Sequence, residues 1–223
     1  YDRYARAKDE GVLTTTGSIM SFRPVIAGLG DFVHLGGEPY GAVVGADPVM
    51  SQQFTEATES RGYARDMCGY MRNYLGSMFL NKYAFGGPFK KPSFVFQVHF
   101  CEHHGKWYQI VKEHMDLPVK VIEFPVGPPD ASRHQARVEY LYNQLQESIP
   151  WMEKVTGREY DDEKLIQALK NYFTTESLWG QIILLNRNIP APIDIKTLYA
   201  FQIPGTLFPH EKQCVDFHRV LLD

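Results

Sequence analysis

Metal-binding and nucleophilic residue types crowd into "FVFQVHFCEHHGKWY", residues 94–108. A run of alternating aromatic and β-branched residues ends at Cys101, and Glu102, His103 and His104 follow at once. Such a cysteine can be a nucleophile, a metal ligand or a small buried hydrophobe. The spacing suits zinc poorly, because a structural site wants ligand pairs about two to four residues apart and a second pair elsewhere. A Cys–His nucleophile needs its base within hydrogen-bond reach, which local sequence does not define. Cys68, in "RDMCGYMRNYLG", stands beside Met67 and Met71, where a cysteine is ordinarily core. Cys214, in "HEKQCVDFH", has the same structural reading.

The elements that must position these residues are legible around Cys101. "SFVFQVHF" reads as a strand apolar on both faces. Trp107, Ile110, Val111 and His114 then recur at helical spacing, giving a helix that ends near Met115. "PVKVIEFP" reads as a second strand closed by Pro125. Strand, helix, strand is a βαβ unit, which makes a parallel sheet with a right-handed crossover. Cys101 would sit at the carboxyl end of a strand and the start of a helix. Ligands bind at that edge of open α/β sheets. The helix start adds unpaired N–H groups and a positive partial charge, which suit an anionic sulfur.

Upstream, Met67, Tyr70, Met71, Tyr74, Leu75 and Met78 predict an amphipathic helix over residues 64–80, again with its cysteine near the start. "YAFGGPFKKP" breaks that helix. Residues 1 to 60 read as glycine-punctuated loops and short elements around one possible strand. Beyond "VGPPDAS" the chain turns helical. Val138, Leu141, Tyr142, Leu145 and Ile149 mark one helix. Leu165, Leu169, Tyr172 and Phe173 mark the next, with Asp161 or Asp162 as N-cap and a run through Trp179 and Ile183 to "NRNIPAPID". A last helix follows Pro209, with Val215, His218 and Leu222 on one side. The expected fold is α/β, a βαβ core with a substantial helical portion. It divides into an N-terminal segment 1–60, a core 61–130 and a mainly helical region 131–223.

A chain of 223 residues, 44% of them hydrophobic, is ample for a packed core of one or two domains. A formal net charge of −3 leaves no electrostatic footprint for nucleic acid. No apolar run approaches the roughly 18 to 20 residues that span a bilayer, so no membrane partner is expected. The polar opening "YDRYARAKDEG" does not resemble a secretory signal. Three widely spaced cysteines argue against a disulfide scaffold and for a reducing, cytoplasmic setting. Beginning at Tyr1 without Met and ending at Asp223 within an apparent helix, the chain reads as a piece of a longer polypeptide.

"ESRGYARDMCGYMRNYLGSM", the strand ending in Cys101 with "HHGKWYQIV", "LPVKVIEFPVGPP" and "RNIPAPID" together resemble the benzoyl-CoA reductase / 2-hydroxyacyl-CoA dehydratase family. Within it the resemblance leans to the B-type catalytic subunit of ATP-dependent benzoyl-CoA reductases. It implies a Rossmann-like fold, a fragment of a longer subunit with two α/β domains. It also implies that Cys68 and Cys101 are two ligands of a 4Fe-4S cluster, the third cysteine ligand coming from a later domain. Iron–sulfur clusters require thiolates, and helix N-termini would supply N–H donors to them. On this reading Cys101 is an iron ligand, His103 and His104 are neighbours or surface residues, and Cys214 stays structural. Phe94, Phe96, Phe100, Trp107 and Tyr108 would keep the site dry, though aromatics in such positions are core by default.

The implied function is to pass low-potential electrons singly to the ring of benzoyl-CoA, giving a cyclic dienoyl-CoA. The implied partners are the acyl-CoA substrate, a sister catalytic subunit, ATP-hydrolysing iron–sulfur activator subunits and a ferredoxin as electron source. Two rivals share the scaffold: radical dehydration of a 2-hydroxyacyl-CoA, and a non-catalytic electron-relay or docking subunit. No Gly-x-x-x-x-Gly-Lys-Ser/Thr is present, so ATP hydrolysis through a P-loop is unsupported. His99, Glu102, His103 and His104 are proton-donor candidates by nearness to Cys101 alone, against a solvated-loop role. Lys90 and Lys91, in "GGPFKKP", could meet CoA phosphates or simply be solvated.

Overall fold

A computed structural model describes residues 1–127 and 131–223, and of Ala131 only the backbone. Residues 128–130, within the expected "VGPPDAS" turn, lie outside the described part. The chain divides into two compact units. The first comprises residues 1–22 and 31–158, and the second residues 23–30 and 159–223.

The first unit is built on four strands, β1 (Leu13–Gly17), β2 (Phe32–Gly36), β3 (Phe94–His99) and β4 (Val119–Glu123). All pair in parallel, in the order β2-β1-β3-β4. The expected βαβ unit is β3, α6 (Glu102–Met115) and β4. The other helices of this unit are α1 (Asp2–Ala7), α3 (Gly37–Gly45), α4 (Pro48–Glu59), α5 (Gly69–Phe79) and α7 (His134–Thr156). The second unit holds α2 (Arg23–Ala27), α8 (Asp162–Leu185), α9 (Ile195–Leu207) and α10 (Lys212–Leu222).

Residues 1–60 contain two strands and four helices, where loops and short elements around one strand are expected from the sequence. The central strand β1 escapes an apolar-run search because its sequence is "LTTTG". All five residues are buried, as a strand between two others requires. β-branched threonines suit a strand, and each hydroxyl finds a lateral partner. Thr15 Oγ1 lies 2.9 Å from His34 Nδ1, and Thr16 Oγ1 donates to Leu35 O at 2.8 Å. Thr14 Oγ1 lies 3.4 Å from Ser93 Oγ.

Helix α5 starts at Gly69, not at residue 64, because Cys68 has a non-helical backbone (φ −46°, ψ 126°) and forms its N-cap. Met71, Tyr74, Leu75 and Met78 are buried as the periodicity predicts, whereas Tyr70 is exposed. The helix is held at close range by glycines. A Cβ on Gly76 would lie 1.9 Å from Phe54 O of α4, and one on Gly41 of α3 would lie 2.4 Å from Tyr70 O. Asn73 Nδ2 donates to Gly41 O (3.1 Å) and Thr58 Oγ1 to Arg72 O (2.8 Å), so the backbone contacts are also hydrogen-bonded. The aromatic core of Tyr40, Tyr74, Tyr83, Phe89 and Trp107 fills the space between these helices and the sheet. Tyr40 stacks on Tyr83 at 5.4 Å and Tyr74 meets Trp107 edge-on at 5.4 Å. At the sheet edge, Gln144 of α7 accepts from Glu123 N (2.8 Å) and donates to Glu123 O (3.0 Å). The amide thus satisfies edge groups that a further strand would otherwise pair.

In the second unit Asp161 caps α8, accepting from Glu163 N and Lys164 N, and its carboxyl is held below the usual range by Lys164 and those amides. α2 lies against α8, and Tyr160 OH donates to Val25 O at 2.8 Å. Helix α9 has no counterpart in the sequence reading. It is largely apolar with its few polar residues scattered, contains Pro204, and buries none of its residues, so it carries no one-sided apolar stripe. Among the described residues no helix is long and apolar enough to cross a membrane.

Candidate functional site

The strand order reverses between β1 and β3: β2 lies beyond one, β4 beyond the other. In open α/β sheets the carboxyl ends of the strands at such a switch point are where a ligand crevice is expected. The β1–β3 ladder is registered over Thr15↔Phe94 and Thr16↔Val95. Beyond it, side chains span the gap. Ser21 Oγ donates to Phe96 O at 2.7 Å, and buried Gln97 accepts from Ser18 N at 2.8 Å. Gly17 is required here, since a Cβ would lie 2.1 Å from Phe96 O.

Cys101 stands on this carboxyl edge as the N-cap of α6, extended at φ −136°, ψ 160°. It is a free, exposed thiol, which removes the buried-hydrophobe reading. Cys68, the N-cap of α5, is a free, partly exposed thiol, with its helix packed against α6. No side chain caps α5, so its first-turn amides remain available to an anion. Beside it, Gly69 faces open space, with nothing within 4 Å of where its Cβ would be.

His104 is not on a solvated loop. It is buried in the first turn of α6, with Nδ1 accepting from Cys101 N at 3.4 Å and Nε2 lying 2.7 Å from Glu38 Oε1. With Nδ1 accepting, the ring proton sits on Nε2 and is donated to the carboxylate. Glu38, in the first turn of α3, also accepts from Ile19 N through Oε2 at 2.8 Å. Sequence reasoning missed Glu38; its only signal is its place after "HLGG", at the end of what proves to be a strand. His99 closes β3, with Nδ1 2.8 Å from Glu123 Oε2 on its register partner. His103 is half-buried and Glu102 exposed. Phe94, Phe96, Trp107 and Tyr108 are core, but Phe100 is 55% exposed beside Cys101.

The lysine turn is at the wrong end of the sheet for the crevice. Lys90 and Lys91 precede β3, roughly 20 Å of strand from Cys101. Lys90 pairs with Asp9 at 3.6 Å, and Lys91 donates to Asp116 O at 3.1 Å.

Cys214 is buried in the second unit, where His218 Nδ1 donates to its carbonyl at 2.8 Å. Burial pushes its thiol up to about 11, so it is neutral and poorly nucleophilic near neutral pH. Iodoacetamide at about pH 8 should therefore label Cys101 at least tenfold faster than Cys214 in the native iron-free protein. Peptide mass spectrometry against time gives the ratio, and equal rates would contradict the burial of Cys214.

The donor set fits two ligands of a thiolate-bound cluster: two free, accessible thiols at helix starts, with N–H groups and open space beside one of them. Among the described residues no group of three or more His, Cys, Asp and Glu is placed to hold a metal ion.

A family model described as 2-hydroxyglutaryl-CoA dehydratase, D-component, matches residues 26–223. The chain belongs to this family. Its relatives include the (R)-phenyllactyl-CoA dehydratase alpha subunit of Clostridium sporogenes, 24% identical over 173 residues, which are 77% of this chain and 42% of the relative. The (R)-2-hydroxyisocaproyl-CoA dehydratase alpha subunit of Clostridioides difficile is 24% identical over 175 residues, 78% of this chain and 42% of the relative. The B-type subunit of the benzoyl-CoA reductase of Thauera aromatica is 26% identical over 139 residues, 61% of this chain and 32% of the relative. The family resemblance read from the cysteine segments is thereby borne out, as is the kinship with the B-type reductase chain. The chain spans about two fifths of the length of the dehydratase relatives. Each of those relatives is named as a subunit of its enzyme.

Proposed function

We propose that this chain is part of the iron–sulfur subunit of an ATP-dependent benzoyl-CoA reductase, in which Cys68 and Cys101 bind a 4Fe-4S cluster. The observation that carries the reading is the pair of accessible thiols, each the N-cap of a helix, one of them on the carboxyl edge of a parallel sheet beside its switch point. A third thiolate would come from residues beyond those of this chain. A cluster held there would supply single electrons at low potential.

The chain's own residues do the rest by holding and shielding. Amides in the first turn of α5 stabilise negative charge on the Cys68 side. Met20, Tyr70, Phe100 and Phe124 are exposed near helix starts and strand ends, and offer apolar surface to an acyl group. The thioester carbonyl of an acyl-CoA suits such a site, because it can hold an added electron as a ketyl radical anion. An apolar surround then limits proton leakage to that centre. The partners on this reading are a sister catalytic subunit, ATP-hydrolysing iron–sulfur activators and a ferredoxin.

One observation favours a second reading, dehydration of a 2-hydroxyacyl-CoA. The relatives named as dehydratase subunits align over 77% and 78% of the chain, against 61% for the reductase subunit. Turnover by the full-length protein with its partner subunit, activator and a low-potential reductant decides between them. The expected result is ATP-dependent conversion of benzoyl-CoA to a dienoyl-CoA. Loss of water from (R)-2-hydroxyacyl-CoA, with benzoyl-CoA untouched, would replace this reading by the second.

A further inference from the structure

Glu38 belongs to none of the cysteine segments, yet it is hydrogen-bonded to two of the strand ends that meet at the crevice. One carboxylate oxygen accepts Ile19 N–H from the turn after β1 (2.8 Å), and the other lies 2.7 Å from His104 Nε2 at the start of α6. Glu38 itself follows β2 directly, in the first turn of α3. The imidazole continues the chain, since its Nδ1 accepts the backbone N–H of Cys101.

An ordinary capping box uses Glu or Gln at the third helical position, and its bond to the N-cap amide is purely local. Histidine differs because it has a second nitrogen. His104 caps Cys101 with one nitrogen and reaches another element with the other, which turns a local cap into a tertiary tie. The tie is well shielded, the His104 side chain being 4% exposed and that of Glu38 16%. Charge-assisted hydrogen bonds with little competing water hold geometry well.

We infer that Glu38, acting through His104, is a positioning residue that sets where the Cys101 sulfur stands relative to the switch-point crevice. The inference rests on the reading of Cys101 as a cluster ligand. Outer partners commonly orient metal ligands through their side chains. Here the hold is on the ligand's backbone N–H, so it fixes the Cα position and φ of Cys101, while in the reciprocal half of the capping box the sulfur faces the His104 backbone N–H.

The test uses full-length protein with its partner subunit, prepared anaerobically as wild type, Glu38→Ala, Glu38→Gln and His104→Asn. Two readouts are taken. One is amide hydrogen exchange at the Ile19 and Cys101 segments of the iron-free protein, and the other is the EPR spectrum of the reduced iron-loaded protein. Glu38→Ala should speed exchange by about tenfold or more at both segments and leave the Cys68 segment unchanged. Glutamine keeps one acceptor, so Glu38→Gln should restore Cys101 protection while Ile19 stays fast. Asparagine keeps an acceptor near the Nδ1 position but cannot reach Glu38. His104→Asn should therefore protect Cys101 yet shift the EPR g-values, as Glu38→Ala does, at wild-type iron content. If Glu38→Ala does not fold, Glu38→Gln and His104→Asn carry the test.

Wild-type exchange at Cys101 in Glu38→Ala, or wild-type g-values in both Glu38→Ala and His104→Asn with iron intact, would overturn the inference alone. Wild-type protein that binds no iron would overturn the ligand reading, and the inference with it.

Discussion

Cys101→Ala in the full-length protein, purified anaerobically with its partner subunit, should lower iron and acid-labile sulfide to background. Wild type should hold about four irons per subunit at this site. Electron transfer to the acyl-CoA should then fall below about one hundredth, since losing a ligand exceeds the 10- to 100-fold typical of losing an outer partner. Cys68→Ala should do the same. The folded structure should survive both changes. Cys101 is exposed, so its removal opens no cavity, and Cys68 is only partly buried against the core. Iron and sulfide analysis, EPR of the reduced form and the unfolding midpoint, taken together, separate loss of a ligand from loss of fold. Cys214→Ala is the control. It should keep its iron, because that thiol is buried in the other unit beside His218. If neither Cys68→Ala nor Cys101→Ala changes the iron content, the functional reading built on them falls.

The largest stability effect is expected at Gly76→Ala. The added methyl would lie 1.9 Å from Phe54 O and 2.4 Å from its carbonyl carbon, and both atoms belong to the backbone of α4, so no side chain can swing away. The two helices must separate. That stretches the Thr58 Oγ1 to Arg72 O bond and loosens the packing of Phe54, which is fully buried. Overpacking of this kind costs roughly 3 kcal/mol or more, read as a lower urea midpoint at unchanged slope. Gly69→Ala on the same helix is the contrast. Nothing lies within 4 Å of its Cβ position, so it should be neutral or slightly stabilising. Equal changes at the two positions would mean that the α4–α5 backbone contact does not govern, because helix propensity favours alanine at both. Gly41→Ala should resemble Gly76→Ala and also disturb the start of α5. Its Cβ would lie 2.4 Å from Tyr70 O, two residues from Cys68.

Local periodicity alone determined the βαβ unit around Cys101, the buried face of α5 and the helices α7, α8 and α10. In each, apolar residues recur or run together within one short segment, which is visible without knowing the neighbours, although the predicted faces of α7 and α8 prove only partly buried and Val138, Tyr142 and Phe173 are exposed. Position alone left Cys101 open and Cys68 ordinarily core; the two became ligand candidates through the family resemblance of the segments that carry them. Three things were decided only by the tertiary structure. β1 is a central strand although "LTTTG" looks polar, because its hydroxyls are satisfied by His34, Leu35 and Ser93 on adjoining segments, far away in sequence. Cys68 caps α5 rather than lying inside it, because that helix begins only where α3 and α4 close on it. Glu38 joins the site across 66 residues to His104, through a hydrogen bond that no spacing rule encodes. Patterns that repeat along the chain are written in the sequence; contacts set by how strands are ordered in the sheet appear only once the chain has folded.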